Sequence, residues 1–412
     1  MEWGFLSCSP SGIPLTLYQE MNLRANLLVS FVFAGTGTAH SEPILPEKIA
    51  YQEASTQQVV PFRDGVLVES NHYAADSVMY AQFDRKETSA FKFDGIQRLL
   101  DVEPSSEGIL FFGLNEIDDQ VICSLVRGSS KEDTDRIELP VALRQLAEGF
   151  QYSDIPRLIG SNNSAALIVR DEVHWLDKKW RSRKLPKVPQ FYEEFKPETF
   201  GVAHFLDGAT LYAGWDHGEW GGMLASLDLS DAQAKWVHLS GKPIGDDTGI
   251  PQNNPIHSIT SPKKEEVWVA VGLTHMGGTW RGLHYRDSDG KWHSLIDGDF
   301  EDDRGSTKLP IPSSIQGIAA DDAKQIYVLA GETGVLKLTK GGMDHLIKHN
   351  FFSHSSARED GGFAYTVGSY PEALGIARNG DVFVSTNSFG VLAFRKKGDR
   401  WTARQITLNK PR

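Results

Sequence analysis

Two stretches near the C-terminus decide the fold: QIYVLAGETGVLKL (325–338) and DVFVSTNSFGVLAF (381–394). Each reads as a short strand rich in β-branched and aromatic residues, a turn that ends in glycine, and a second strand that begins Gly-Val-Leu. Another strand and turn precede each stretch, at 314–324 and 372–380, and a further strand follows the second one. This alternation of strands and turns predicts a meander of four antiparallel strands.

The same unit recurs upstream at intervals of roughly 50 residues, the mark of a repeat architecture. Trp180, Trp236 and Trp292 stand 56 residues apart, and Trp401 lies 109 residues further on. A four-stranded meander cannot bury both faces alone, whereas copies set in a ring cover one another. We therefore predict an all-β chain that folds as a seven-bladed β-propeller with four-stranded antiparallel blades.

Residues 265–287, 324–338 and 380–394 resemble the propeller repeat of the two-component-regulator sensor family. That repeat consists of a polar turn, an aromatic-rich strand, a glycine turn and a strand that starts Gly-Leu or Gly-Val. The resemblance extends loosely over residues 155–408. It implies a ring-shaped domain that binds something, and it transfers no catalytic residue to this chain.

Composition narrows the classes of protein that the chain can belong to. With 42 basic and 54 acidic residues among 412, the net charge is −12, whereas a general nucleic-acid-binding surface is positive. Hydrophobic residues make up 40% and charged residues 23%, which argues against a multi-span membrane protein. We expect residues 42–412 to form one propeller, with a short helical insertion at about 140–152 where apolar residues recur at near-helical spacing.

The first 41 residues have the pattern of a secretory signal peptide that follows an extra segment. Arg24 precedes the apolar run of residues 27–34, and small residues then allow cleavage after Ala39 or after Ser41. The apolar run is much shorter than the roughly 20 residues of a spanning helix. We expect residues 21–41 to be the signal peptide, residues 1–20 to be a mis-called upstream extension, and the mature protein to be secreted or periplasmic.

Two loops between second and third strands carry similar chemistry: GWDHGEWGG (214–222) and GLTHMGGTWRG (272–282). Neighbouring blades would place these loops side by side at one mouth of the channel. Tryptophan faces stack on sugars and other flat ligands, while imidazoles with carboxylates bind divalent metals. Packing within the loops is the alternative role for the tryptophans.

The predicted ligand-binding residues are Asp216, His217, Glu219, Trp220, His257, His275, Trp280 and Arg281. The histidines His217, His257 and His275 are the candidate ligands of a divalent metal, the only cofactor that the pattern indicates.

These residues leave two functions open. One is an exported propeller that binds a small-molecule or carbohydrate ligand, or a partner protein, in a funnel lined by tryptophan, histidine and carboxylate side chains. We expect this protein to have no nucleic-acid partner and no membrane span. The alternative is a hydrolase or lyase that acts on a sugar or lactone, with Glu219 or His217 as general acid or base, Arg281 as electrophilic help, and a divalent metal. The sequence contains no Walker loop, HExxH motif or GxSxG motif that would decide between them.

Overall fold

The computed structural model describes residues 56–70, 78–91, 96–105, 108–117, 120–128, 134–145, 156–163, 165–188, 203–216, 221–243, 245–251, 253–275, 278–299, 314–331, 333–340, 342–351, 353–356, 365–368, 371–387 and 389–408. Only the backbone is described at residues 56, 57, 70, 134, 274, 275, 278, 279, 298, 299, 353–356 and 365–368. Contacts between Cα atoms divide the chain into Met1–His40 and Ser41–Arg412, and every described residue belongs to the second unit.

Nearly all regular structure is β-strand, as predicted, and it is arranged in four-stranded antiparallel units. Five of these units form sheets of their own. Sheet 1 contains β1 (Thr56–Phe62), β2 (Gly65–Ser70), β3 (Val78–Gln82) and β4 (Ser89–Ala90). Sheet 3 contains β9 (Arg157–Leu158), β11 (Ala165–Val169), β12 (Glu172–Leu176) and β13 (Trp180–Lys184). Sheet 5 contains β18 (Ile256–Thr260), β19 (Val267–His275), β20 (Gly278–Arg286) and β21 (Trp292–Asp299). Sheet 6 contains β22 (Ile315–Ala320), β23 (Ile326–Ala330), β24 (Gly334–Thr339) and β25 (Gly342–Lys348). Sheet 7 contains β28 (Pro371–Ile376), β29 (Val382–Thr386), β30 (Gly390–Lys397) and β31 (Arg400–Ile406).

Two further units are joined into one nine-stranded sheet. Sheet 2 contains β5 (Arg98–Ser105), β6 (Gly108–Ile117), β7 (Gln120–Gly128) and β8 (Thr134–Ile137). Sheet 4 contains β14 (Ala203–Asp207), β15 (Thr210–Asp216), β16 (Gly222–Asp228) and β17 (Val237–His238). The short strand β10 (Gly160–Ser161) lies between them and pairs in parallel with both β5 and β14. The remaining elements are a hairpin of β26 (Ser353–Ser356) and β27 (Tyr365–Gly368) and one turn of helix, α1 (Val141–Arg144).

The repeated Gly-Val-Leu marks the start of a third strand. Gly334 begins β24 with a φ of 110°, and Gly390 begins β30 with a φ of 67°. A Cβ at Gly334 would also collide with the carbonyl oxygen of Ile347 on the next strand. Only glycine tolerates this backbone angle and this close approach together. The residues of β23 and β29 are buried along their whole length, which explains their β-branched and aromatic composition.

The regularly spaced tryptophans connect neighbouring sheets. Trp180 and Trp292 begin fourth strands, Trp401 lies within one, and Trp236 immediately precedes one. The indole of Trp180 donates to the carbonyl of Glu138 next to sheet 2 at 2.7 Å, and that of Trp236 donates to Pro186 next to sheet 3 at 3.0 Å. The spacing of Trp180 and Trp236 thus reflects a contact that sheets 3 and 4 each make with the sheet before them.

Apolar side chains fill the spaces between successive sheets, and within the described residues seven clusters do so. One of these clusters joins the two ends of the described chain. Val66 and Val68 of sheet 1 pack with Phe383, Val391 and Ile406 of sheet 7, all with 0% exposure. The first strand β1 also contacts β28. The chain is therefore β-propeller-like, with the last sheet packed on the first.

Polar groups reinforce the contact between the two end sheets. The guanidinium of Arg395 binds Asp381 through Nε and Nη2 at 2.6–3.1 Å and Asp84 of sheet 1 through Nη1 at 2.8 and 2.9 Å. It also lies over the ring of Phe83, 4.3 Å from the centroid. Backbone hydrogen bonds join Thr88 and Lys86 to Thr407 at 2.9 Å. We call Arg395 with Asp84 and Asp381 the end clasp.

Breaking the end clasp should lower the free energy of unfolding. The size of the loss should depend on which residue of the clasp is replaced. The side chain of Asp381 is only 3% exposed, so Arg395→Ala leaves a buried carboxylate without its cation and should lower the free energy of unfolding by about 3 kcal/mol. Asp84 is 75% exposed, and Asp84→Ala should cost about 1 kcal/mol or less. Urea unfolding followed by tryptophan fluorescence measures both, with Arg400→Ala at an exposed position of β31 as the control. Equal effects of Arg395→Ala and Arg400→Ala would contradict a stabilising clasp.

Candidate functional site

The first strands of all the four-stranded units line one cavity of about 1240 Å³. Since each unit contributes its first strand, the cavity lies where the first strands of all the units meet. It does not lie in the interface between two neighbouring sheets. This volume exceeds the 300–1,000 Å³ of most small-molecule sites, so a ligand of that size fits with water to spare. We call this cavity the central channel.

Five of the first strands carry a β-bulge near their start. The extra residues are Gln57, Leu100, His257, Gln316 and Glu372. A bulge turns a side chain away from the regular alternation of a strand and is common beside functional sites. Leu100, His257 and Glu372 line the channel. The bulges thus direct side chains of several sheets toward the end of the channel at which the first strands start.

At this end, His257 lies between a backbone carbonyl and a carboxylate. Its Nε2 is 2.7 Å from the carbonyl oxygen of Gly272, and its Nδ1 is 3.6 Å from Oδ2 of Asp216. Because a carbonyl can only accept, Nε2 carries the hydrogen of the neutral ring and Nδ1 is an acceptor. Burial lowers the pKa of His257, although the nearby charge of Asp216 and the hydrogen bond to Gly272 act in the opposite direction.

Across the channel, three carboxyl groups of sheets 1 and 2 lie close together. Asp101 Oδ2 accepts a hydrogen bond from the amide of Leu158 at 2.6 Å, and Asp101 also shares a hydrogen bond with Glu69. Burial, followed by the charges of Asp101 and Glu103, raises the pKa of Glu69 well above its usual value. Burial raises the pKa of Asp101 to about 6 and that of Glu103 well above its usual range. The hydrogen bond between them raises the pKa of Glu69 and lowers that of Asp101, so Glu69 is the donor when the pair shares one proton.

The side chains of an arginine and a histidine complete this end of the channel. Arg157 is exposed on β9, and its charge favours the ionised forms of Glu69 and Asp101. Burial, and then the charge of Arg157, lowers the pKa of His204 on β14 to about 4. The neutral imidazole of His204 thus faces the same space as one guanidinium and several carboxyl groups.

The opposite end of the channel has a different charge. It is formed by the turns that follow the first strands, and its lining contains Arg63, Lys263, Lys264, Lys324 and Arg378 together with Asp321 and Asp322. Arg378 pairs with Asp322 at 2.8 Å. The channel consequently offers carboxyl groups and imidazoles at one end and mainly basic side chains at the other.

The structure brings together two of the eight residues that the sequence singled out. Asp216 and His257 both line the channel and face each other. His217, Glu219 and Trp220 lie outside the described residues. At His275 only the backbone is described, at the end of β19. Their predicted roles remain predictions.

The last two predicted residues lie in the third strand of sheet 5. Trp280 is half-buried and pairs with Leu273, and Arg281 is 2% exposed between Gly272 and Gly298. Neither is among the described residues that line the channel. Arg281 pairs with Gly272, whose carbonyl oxygen lies 2.7 Å from Nε2 of His257.

The divalent metal stays an expectation from the sequence. Among the described residues, no group of three or more His, Cys, Asp or Glu side chains is placed to hold a metal ion. The trio of His217, His257 and His275 is not tested by this, because only His257 has a described side chain. No helix in the described part of the chain is long and apolar enough to cross a membrane.

Sequence reasoning missed the channel carboxyl groups Glu69, Asp101, Glu103 and Glu372. A usable signal exists in RLLDVEPS (98–105), where acidic residues alternate with apolar ones in a first strand. Alternation in a buried strand means that the acidic side faces a cavity.

Comparison with known proteins gives fold-level likeness only. No protein-family model matches the chain, and no curated protein matches it in sequence. Its structure is similar to the extracellular domain of the one-component system BT4673 from B. thetaiotaomicron, with 13% identity, a TM-score of 0.31, and coverage of 85% of this chain and 40% of that one. It is also similar to YCF48 bound to D1 peptide (8% identity, TM-score 0.35, 88% and 87% coverage) and to puromycin hydrolase (13% identity, TM-score 0.32, 76% and 53% coverage). The chain spans about two fifths of the length of the BT4673 domain.

The raised pKa values of the channel carboxyl groups should make stability depend on pH. The folded protein keeps protons on Glu69 and Asp101 that the unfolded chain releases above about pH 4, so the free energy of unfolding should fall as the pH rises from about 4 through about 6. In Glu69→Gln the fall should be smaller, so the variant should gain stability relative to wild type between pH 5 and pH 8. Urea unfolding at pH 5 and pH 8 measures this.

The matched control for this experiment is Asp399→Asn, at an exposed turn residue between β30 and β31. It should leave the pH profile of the wild type unchanged. Parallel profiles for Glu69→Gln and wild type would show that Glu69 holds no extra proton in the folded protein.

Proposed function

We propose that the described sheets form a closed seven-bladed β-propeller, exported from the cell, whose central channel binds a small polar ligand. The observation that carries this proposal is that every sheet contributes its first strand to one large cavity lined by charged and polar groups. Such a cavity with a few converging polar groups is the usual form of a ligand site.

Closure of the ring is supported by the packing between sheets. Each of the seven apolar clusters joins two successive sheets, and the cluster around Phe383 and Val66 joins the last to the first. A ring of blades leaves no wide sheet face in water. Parallel pairing with β10 draws the first strands β5 and β14 together at one side, so the proposed ring is narrower there.

Export is supported by the sequence alone, through the signal-peptide pattern of residues 21–41. An exported binding protein meets its ligand in the surrounding medium. This part of the proposal predicts that the mature protein begins near residue 40 or 42.

A second candidate function rests on the Glu69–Asp101 pair. Two carboxyl groups in hydrogen-bond contact are closer than the roughly 5 Å that separates the carboxyl groups of a retaining glycosidase. The pair therefore suits a shared proton and an activated water, as in hydrolysis of a lactone, better than a double displacement at a sugar. Turnover of lactone substrates that is lost in Asp101→Asn would favour this enzyme function over simple binding.

Filling the channel tests the proposed binding function. Ser258 lines the channel on β18, and Ser258→Trp should occupy part of it, while Ser288→Trp places the same ring in an exposed turn of the same sheet. Sugars, sugar acids, amino acids, diols and diamines would be tested for their effect on the thermal unfolding midpoint. A ligand at about 100 times its Kd stabilises the folded state by about 2.7 kcal/mol.

We expect at least one class of compound to raise the midpoint of the wild type and of Ser288→Trp but not of Ser258→Trp. Shifts that are equal in the two variants, or no shift in the wild type with any compound, would contradict a ligand site in the channel.

A further inference from the structure

The central channel is bordered by the edges of first strands, where backbone groups are presented. Residues 257–260 of β18 and residues 317–320 of β22 all line it, and in each strand these positions are consecutive. Successive side chains of a strand point to opposite faces of the sheet, so a run of consecutive lining residues shares only the edge of the strand. A strand edge presents the N–H and C=O groups of alternate residues. The wall of the channel therefore includes main-chain donors and acceptors as well as side chains.

The chain itself covers two of these inner edges with a strand. The short strand β10 follows β9 of sheet 3 and pairs in parallel with the first strands β5 and β14. Gly160 lies opposite Phe205, and the amide of Asn162 continues the pairing by donating to the carbonyl of Leu206 at 2.9 Å. An inner edge in this protein thus accepts an added strand, and the added strand runs in the same direction as the first strands.

Four other first strands have a neighbour on one side only. Among the described strands, β1, β18, β22 and β28 each pair with the second strand of their own sheet and with no other strand. Small side chains border the edges of β18 and β22, because Ser258, Gly317 and Ala319 are lining residues. Such side chains let another backbone approach to the 4.7–4.9 Å that separates paired strands.

Building on the proposed role of the channel as a ligand site, we propose that its ligand is a short extended peptide that adds a strand to one of these edges. Strand addition takes its affinity from main-chain hydrogen bonds along the edge. A peptide rises about 3.3 Å per residue, so five residues span roughly 17 Å, the length of the five-residue strand β18. A sugar carries no donors and acceptors at this repeat, so a peptide satisfies more of the edge groups at once.

The charge at the start of the first strands fits the amino terminus of such a peptide. The lining there includes Glu69, Asp101, Asp216 and Glu372, and Arg157 is the cation among the described residues at that end. The charge of Arg157 acts on Glu69 and Asp101, on the side of the channel where β9 and β10 lie. Asp216 faces β18 and Glu372 belongs to β28, so both carboxylates are beside strands with an open edge.

The charge at the other end fits the carboxyl terminus. Arg378 and Asp322 form an ion pair of 2.8 Å there, and the exposed side chains of Lys264 and Lys324 lie at the same end as Asp321. Basic side chains outnumber carboxylates in the lining of this end. A peptide with its amino terminus at the acidic end places its carboxylate beside these lysines. This orientation is parallel to the first strands, as is that of β10.

The test adds to the compounds named above two pentapeptides with free termini, which alternate alanine with serine or with leucine. At least one should bind the full chain in a calorimetric titration and raise its thermal unfolding midpoint. Methyl groups on the three middle amides of that peptide should weaken binding about 10-fold or more, because they remove main-chain donors and leave the charges and side chains in place. Ser258→Trp should abolish binding, and Ser288→Trp should not.

Lys324→Gln tests the orientation of the peptide. It should weaken binding about 3-fold, and the effect should vanish when the carboxyl terminus of the peptide is amidated. The matched control is Lys340→Gln, at an exposed turn between β24 and β25 of the same sheet, which should leave the affinity unchanged. Tighter binding in Lys324→Gln would place the ammonium at this end and overturn the parallel orientation.

Equal affinities for the methylated and the unmethylated peptide would overturn strand addition. Binding of a sugar or an amino acid that Ser258→Trp abolishes, with no binding of either peptide, would overturn the peptide assignment while the channel stays a ligand site. No binding of the peptides and no shift with any of the other compounds would reject both proposals.

Discussion

None of the four-stranded sheets of this protein can bury its two faces without a neighbour on each side, and the packing of sheet 7 against sheet 1 covers the last pair of faces. Phe383, Val391 and Ile406 are fully buried in one cluster with Val66 and Val68. The end clasp of Arg395 with Asp84 and Asp381 adds charge-assisted hydrogen bonds across the same boundary. The central channel depends on this contact, because the first strands line one cavity only when all the sheets are held side by side.

The architecture was predictable because its determinants are local and repeated. Gly334 and Gly390 have positive φ angles at the start of third strands, and such a requirement leaves a glycine in the same place in each repeat. Trp180 and Trp236 each donate to the backbone near the preceding sheet, so their period equals the length of a unit. The pairing of β5, β10 and β14 was not predictable, since β10 has only two residues and its pairing depends on tertiary position.

The candidate site was predictable only in part, because local sequence marks some of its residues while others depend on contacts between sheets. Asp216 and His257 were found because a long, chemically rich loop follows one and a first strand begins at the other. Glu69 and Asp101 come from different sheets, and their shared proton depends on burial that no single strand reveals. His257 has its orientation because it is the extra residue of a bulge, and one strand alone does not show where its partner strand shifts register.

The most direct measurement for the central claim, that this channel is the binding site, is a crystal structure of the full chain grown with a compound that raises the thermal unfolding midpoint of the wild type but not of Ser258→Trp. We expect electron density for that compound inside the channel, against residues of the first strands such as His257 and Ser258. A channel that contains only water at a saturating concentration of that compound, with the compound bound on the outer strands or absent, would contradict this claim.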